Sequence, residues 1–221
     1  MSMVKSLLNP APMVQAELED LVGEIRQCRI CVDRPRGRPL PHQPRPVVRA
    51  SATARILIAG QAPGTRVHAS GKPFTDPSGD RLRDWMGIGE GEFYDEARIA
   101  IVPMGFCFPG LDAKGGDLPP RRECAPAWHD ALLGRMPAVD LVLAVGLYAQ
   151  QFHLGRRVRG SLTETVGDWR AILDETDGPK ILPLPHPSWR NSGWIKRNPW
   201  FEAELLPVLK GLVAARLQAP S

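Results

Sequence analysis

The chain has 221 residues, 43% of them hydrophobic and 24% charged, enough to bury one sizeable core, so a single domain over 1–221 is expected. Its formal charge of +4 and pI near 9.1 permit a polyanionic partner without demanding one. No apolar run approaches the roughly 20 residues of a membrane span, and the opening MSMVKSLLNPAP lacks the apolar core of a secretory signal. The expectation is a cytoplasmic monomer with residues 1–13 flexible and no membrane contact.

Val14, Leu18, Leu21, Val22 and Ile25 recur at helical spacing, with Glu17, Glu19, Asp20 and Glu24 on the other face. This amphipathic helix delivers Cys28 at its end. Residues 33–49, DRPRGRPLPHQPRPVVR, hold too much proline and glycine for a regular element. They are expected to form a solvated, semi-rigid connection, an arm that tracks DNA being the other reading.

A first strand at 55–59 then enters GQAPG, where Gly60, Pro63 and Gly64 force a tight, exposed reversal. Leu82, Trp85 and Met86 set a helix that Ser78 or Asp80 caps. A second strand at 98–102 leads into a loop rich in glycine and proline that runs to Pro120, and 123–136 has helical composition interrupted by Pro126. The apolar run 140–146 is a third strand, with a helix starting near Leu147, and 180–184 is a fourth. The fourth strand ends in PHPSWRNSGW, and Pro199 opens a closing helix through Phe201, Leu205, Leu206, Leu209 and Leu212.

Strands separated by helical segments imply an α/β fold, a three-layer α/β/α sandwich around a mainly parallel four-stranded sheet. GQAPG and PHPS both follow strands, so both lie at one edge of that sheet and face a common cleft.

Four cysteines in a reducing compartment are poor disulfide candidates. Cys28 and Cys31 form a CxxC pair, and Cys107 and Cys124 stand alone far along the chain. Such a set reads as a four-thiolate site for zinc or an iron–sulfur cluster, or as four unrelated buried thiols.

Several stretches resemble, in order, the motifs of the uracil-DNA glycosylase superfamily: GQAPG, SGKPF, PSGDRL, VPMGFCFPG, the apolar strand ending AVG, the Arg159–Gly160 pair and LPLPHPSWR. The four cysteines sit where the iron–sulfur members of that superfamily place their cluster ligands. The resemblance covers about Cys28 to the C-terminus. It implies an enzyme that extrudes uracil from DNA, stabilises the departing base and directs water at the sugar.

By that resemblance His186 donates a hydrogen bond to the leaving base, and Phe74 is the ring on which the base stacks. Gln61 and Ala62 form the floor beside the water, while Ser78 and Gly79 offer backbone amides to phosphate. Ser188, Trp189, Arg190, Lys196 and Arg197 form a DNA-facing loop, with Trp189 as the wedge. Cys28, Cys31, Cys107 and Cys124 hold a 4Fe–4S cluster, zinc being the alternative. Each residue also has a plainer reading: His186 closing a strand, Phe74 in the core, Ser78 and Gly79 as a helix cap, Trp189 and Trp194 packed on the last helix.

Three positions depart from the family. Gln61 stands where iron–sulfur members carry glutamate, and Ala62 where the best-known enzymes carry aspartate. Pro103 replaces an asparagine that reads the uracil edge. With neither familiar carboxylate present, either positioning and electrostatics suffice at a reduced rate, with the Gln61 amide orienting the water, or Asp76, Asp80 or His68 approaches it from the adjacent loop. The departures keep open a preference for other deaminated bases such as hypoxanthine or xanthine, a lesion-binding protein that cleaves weakly, and a metal-stapled nucleic-acid module without a base pocket.

Overall fold

Four short apolar runs become strands because both of their faces are covered: β1 Ile56–Ala59, β2 Ile99–Ile101, β3 Leu141–Val145 and β4 Lys180–Leu184. The computed structural model describes residues 10–175 and 178–218. All three pairings are parallel, in the order β2-β1-β3-β4. In register, Ile58 sits between Ile101 and Leu143, and Val145 pairs with Leu184. Pro183, which cannot donate to a ladder, falls on the edge strand β4, where proline is tolerated.

Strand alternation divides the apolar side chains between two cores. Ile56, Ile58, Ile99, Ile101, Leu143 and Leu184 face one layer of helices, made by α4 Pro77–Met86, α8 Leu162–Gly167, α9 Trp169–Asp174, α10 Ser192–Arg197 and α11 Leu206–Gln218. Leu57, Ala59, Ala100, Val142 and Ala144 face the other, made by α1 Pro10–Arg26, α6 Asp130–Leu133 and α7 Leu147–Leu154. The three-layer sandwich expected from the sequence is therefore the observed architecture. Short helices α2 Ile30–Asp33, α3 Thr65–Ser70 and α5 Glu90–Phe93 complete the chain.

The amphipathic first helix buries Leu18, Val22 and Ile25, as its spacing predicts. It begins at Pro10, so residues 10–13 are helical although the segment 1–13 was expected to be flexible; residues 1–9 lie outside the described residues. The interruption at Pro126 appears as a π-helical turn, Ala125–His129, ahead of α6, and another, Phe201–Leu205, opens the closing helix.

Residues 33–49 are a solvated connection only in part: Asp33, Arg34 and residues 36–39 are exposed, whereas other parts of the segment pack against the fold. Leu40, Val47 and Val48 are buried, Val47 N–H donates to Phe106 O at 2.7 Å, and Arg49 exchanges both backbone bonds with Ile101. The segment is a strap whose end, residues 47–49, covers the free edge of β2, where long-range hydrogen bonds replace the regular structure its prolines forbid.

The cap of α4 also differs from expectation. Asp76, not Ser78 or Asp80, is the N-cap, its carboxylate accepting from Ser78 N and Gly79 N. Pro77 occupies N1, where a missing N–H is harmless and φ is already helical.

Candidate active site

The loops after β1 and β4 meet because β3, between them, ends in Gly146. With φ +83° that residue sits where a side chain would be strained, and a Cβ on it would lie 3.7 Å from His186 Cβ. Buried Gln150 steadies the same edge by donating to Leu184 O at 2.9 Å. A cavity of about 70 Å³ results, lined among others by Gln61, Ala62, Phe74, Asp76, Pro103 and His186. It opens into a cleft of about 470 Å³ bounded by Asp117 and Leu118 and by Ser188, Trp189 and Arg190.

The GQAPG floor is fastened from below: Met104 N donates to Gly60 O at 3.0 Å and Gly105 N to Gln61 O at 2.9 Å. The Gln61 carbonyl is thus occupied, and the residue lines both cavity and cleft. Phe74 has φ +55°, a conformation costly for a bulky residue. Its carbonyl is gripped by Tyr94 Oη at 3.2 Å and Arg83 Nη1 at 3.3 Å, and its ring meets the edge of Phe93. These contacts hold the ring over Gly60, at the cavity wall.

Gly79 explains why that loop comes so close to α4. A Cβ there would stand 1.9 Å from Phe74 O. Gly79→Ala is expected to force Phe74 away, lowering stability by about 1–3 kcal/mol and impairing any activity that needs the ring; denaturation and rate measurements on the variant check both.

His186 has a defined tautomer. Ser188 N–H donates to its Nδ1 at 3.2 Å, so in the neutral ring Nε2 carries the proton. Burial lowers its pKa below the ordinary imidazole value, against the opposing pull of the Asp76 carboxylate, so the ring is neutral at pH 7. Asn191 Nδ2 donates to His186 O at 2.7 Å and fixes the backbone. Arg81 reaches across from α4 to Ser188 O at 3.0 Å and Ser192 Oγ at 3.3 Å, tying the loop to the helix that Asp76 caps.

Of the three groups open for water activation, Asp76 alone lines the cavity. One of its carboxylate oxygens, Oδ1, takes the Ser78 and Gly79 amides and the Ser78 hydroxyl. Asp80 is exposed and pairs with the mostly buried Arg83, and His68 packs against His42 and Phe108. The amides of Ser78 and Gly79, expected to face phosphate, are already donated to Asp76.

Trp189 is 75% exposed and does not pack on the last helix. Trp194 does pack: it is buried against Trp200 and Phe201, and its indole N–H donates to Thr163 Oγ1 at 2.8 Å. Ser188 and Arg190 line the cleft beside Trp189, whereas Lys196 and Arg197 are exposed on α10 and line neither cavity nor cleft.

Two residues at the site escape a reading by motif. Asp117 lies between cavity and cleft, its Oδ2 3.4 Å from where a Cβ on Gly64 would stand. Burial raises its pKa, a shift that Arg190 partly offsets. Buried His129 stacks on Phe106 and reaches Pro103 O through Nε2 at 3.2 Å, bracing the cavity wall that Pro103 forms. Only the GGD turn in a glycine-rich loop signals Asp117, and His129 has no sequence signal at all.

The four cysteines approach one another from the two ends of the strap. Cys31, Cys107 and Cys124 are buried and Cys28 is half-buried, all as free thiols. Cys31 and Cys124 hydrogen-bond, which lowers Cys31 to about 7 and raises Cys124; burial pushes Cys107 up to about 12, with Cys28 and Cys31 close enough to add to the rise. Among the described residues no group of three or more His, Cys, Asp or Glu side chains is set to hold a metal ion. Among those residues, too, no helix is long and apolar enough to cross a membrane.

A protein-family model described as Uracil DNA glycosylase superfamily matches residues 48–210, which include the cavity-lining loops just described.

Proposed function

The chain belongs to the uracil DNA glycosylase superfamily, and on that premise we propose that it is a monofunctional DNA glycosylase that flips uracil out of DNA and hydrolyses its N-glycosidic bond, the first step of base excision repair. The observation that carries this reading is the convergence of Phe74, His186, Gln61 and Asp76 on one cavity.

The chemistry follows from the positions of those groups. The extruded base stacks on Phe74, a contact of about 1–3 kcal/mol. As the bond from C1′ to the base nitrogen breaks, its electron pair passes to the base. The neutral Nε2–H of His186 then stabilises the charge that gathers on a base oxygen. Water adds to C1′ of the oxocarbenium-like sugar and gives its proton to Asp76, with the Gln61 amide orienting it. Glutamine orients but cannot take the proton, which gives Asp76 the role the motif loop itself lacks.

Base choice rests on shape and backbone, because Pro103 offers no side-chain amide. Duplexes carrying uracil, hypoxanthine, xanthine or thymine, treated in parallel and assayed for abasic sites, test the specificity. Uracil is expected to be released fastest; faster release of hypoxanthine or xanthine would reassign the substrate within the same fold.

Trp189 is the proposed wedge for the space the base leaves, with Arg190 at the adjoining phosphate. Trp189→Ala is expected to leave stability within about 0.5 kcal/mol, as for an exposed side chain, while slowing release from duplex more than from single-stranded substrate. Thermal melting and paired rate measurements check this; equal slowing on both would remove the wedge role.

The cysteines constitute the ligand set proposed for a 4Fe–4S cluster, with zinc the alternative. Bound there, the group would staple the end of α1 and the helix α2 to the 107–124 loop and take no part in hydrolysis. Protein purified without oxygen is expected to be brown, with iron and acid-labile sulfide in equal amounts. Zinc without iron would assign the alternative.

A further inference from the structure

The strap over residues 33–49 plays no part in the chemistry above, yet it is held rigidly. Arg121 donates to Arg38 O at 2.8 Å and to Glu123 Oε1 at 2.8 Å, and the same Glu123 oxygen accepts Arg36 N–H at 2.7 Å. The Arg121 and Glu123 side chains are only 16% and 4% exposed, so this ion pair is an internal clamp whose charges cancel. What it presents outward is cationic. Arg34, Arg36 and Arg122 are exposed, and their guanidinium groups have no carboxylate partner among the described residues.

These arginines line a continuous depression. A groove of about 220 Å³ is walled by Arg36, Arg122 and Leu118, and a second concavity beyond it by Arg34 and Arg36. Leu118 also lines the active-site cleft, so the groove begins where the cleft ends. A row of arginines on a clamped backbone suits a chain of phosphates: each guanidinium offers a planar fork of donors, and the clamp has already removed the backbone freedom that binding would otherwise cost.

We propose that the groove of Arg34, Arg36 and Arg122 is a phosphate track that carries the DNA backbone flanking the extruded nucleotide away from the cleft, across Leu118. The proposal rests on the glycosylase reading only in taking DNA as the polymer. It extends the DNA contact surface well beyond the 188–190 loop and gives the arginine-rich strap its role.

The test is binding rather than excision, so that it stands apart from the success or failure of the enzyme reading. Affinity for an undamaged duplex long enough to enter the groove is measured against salt for the wild-type chain and for the triple variant Arg34→Gln, Arg36→Gln, Arg122→Gln. Neutralising a phosphate contact reduces the slope of log affinity on log salt by about 0.9, so the variant's slope is expected to be shallower by about 2 to 3. The wild-type preference for the long duplex over one that ends at the cleft should disappear with it. The corresponding triple lysine variant keeps the charges and should restore most of the slope, which a merely folding-related defect would not allow. An unchanged slope, an equal loss on short and long duplexes, or equal competition by inorganic phosphate and by DNA would each overturn the proposal, the last by showing a site for single anions only.

Discussion

Replacing His186 by alanine is expected to slow uracil release by about 10²- to 10³-fold, the cost of deleting one preorganised donor at a developing oxyanion, while duplex binding stays at the wild-type level. Apart from the Ser188 N–H, which loses its acceptor, the loop keeps its supports when the ring is deleted. The backbone at His186 is held by Asn191 through its carbonyl, and the loop beyond it by Arg81, neither of which touches the imidazole. The ring presents a neutral Nε2–H because Ser188 N–H occupies Nδ1 and burial keeps the pKa low. Wild-type release should therefore be insensitive to this group from pH 8 down to about 6.5, the ordinary imidazole value. Below the lowered pKa, protonation of Nδ1 breaks the Ser188 bond and the rate should fall. Single-turnover rates across pH check both statements, and an unchanged rate in the alanine variant would remove His186 from the mechanism.

Asp76 is expected to be as important, and it has two separable tasks. As the N-cap of α4 it takes the Ser78 and Gly79 amides, and as a carboxylate lining the cavity it takes, in the proposed mechanism, the proton from water. Asparagine caps about as well as aspartate, whereas alanine costs roughly 1 kcal/mol. Asp76→Asn should melt near the wild-type temperature and Asp76→Ala below it, while both lose about 10²- to 10⁴-fold in rate, the usual contribution of a general base. Denaturation and single-turnover release on the two variants separate the tasks. If Asp76→Asn retains the wild-type rate, the loop backbone and Gln61 position the water unaided.

The sheet was legible because its strands are apolar on both faces. The runs at 55–59, 98–102, 140–146 and 180–184 contain β1, β2, β3 and β4 almost to the residue, since each is a short, mostly apolar run bounded by turn residues. From the strands followed the meeting of GQAPG with PHPS, because parallel strands put both loops on one edge. Composition told half of the strap: residues 33, 34 and 36–39 are exposed as its prolines and arginines suggest, but Leu40, Val47 and Val48 bury against the cysteine loop and the sheet edge.

The cap was misassigned for a local reason. Asp76, Ser78 and Asp80 are all capping residues, and the deciding signal was Pro77, which belongs at N1 and so names its predecessor as the cap. Asp117 and His129 were out of reach for a different reason. Asp117 reaches the cavity from an irregular loop and His129 reaches the wall behind Pro103 from a π-helical turn, where no periodicity says which way a side chain points.

The central claim is that this cavity breaks the bond between uracil and deoxyribose. The direct measurement is incubation of the purified chain with single- and double-stranded oligonucleotides carrying one uracil, followed by alkaline cleavage and detection of the free base. The account predicts strand scission at the uracil position, release of uracil, and neither product from the thymine counterpart. Intact strands at enzyme in excess over substrate, from protein that melts cooperatively and binds DNA, would contradict it.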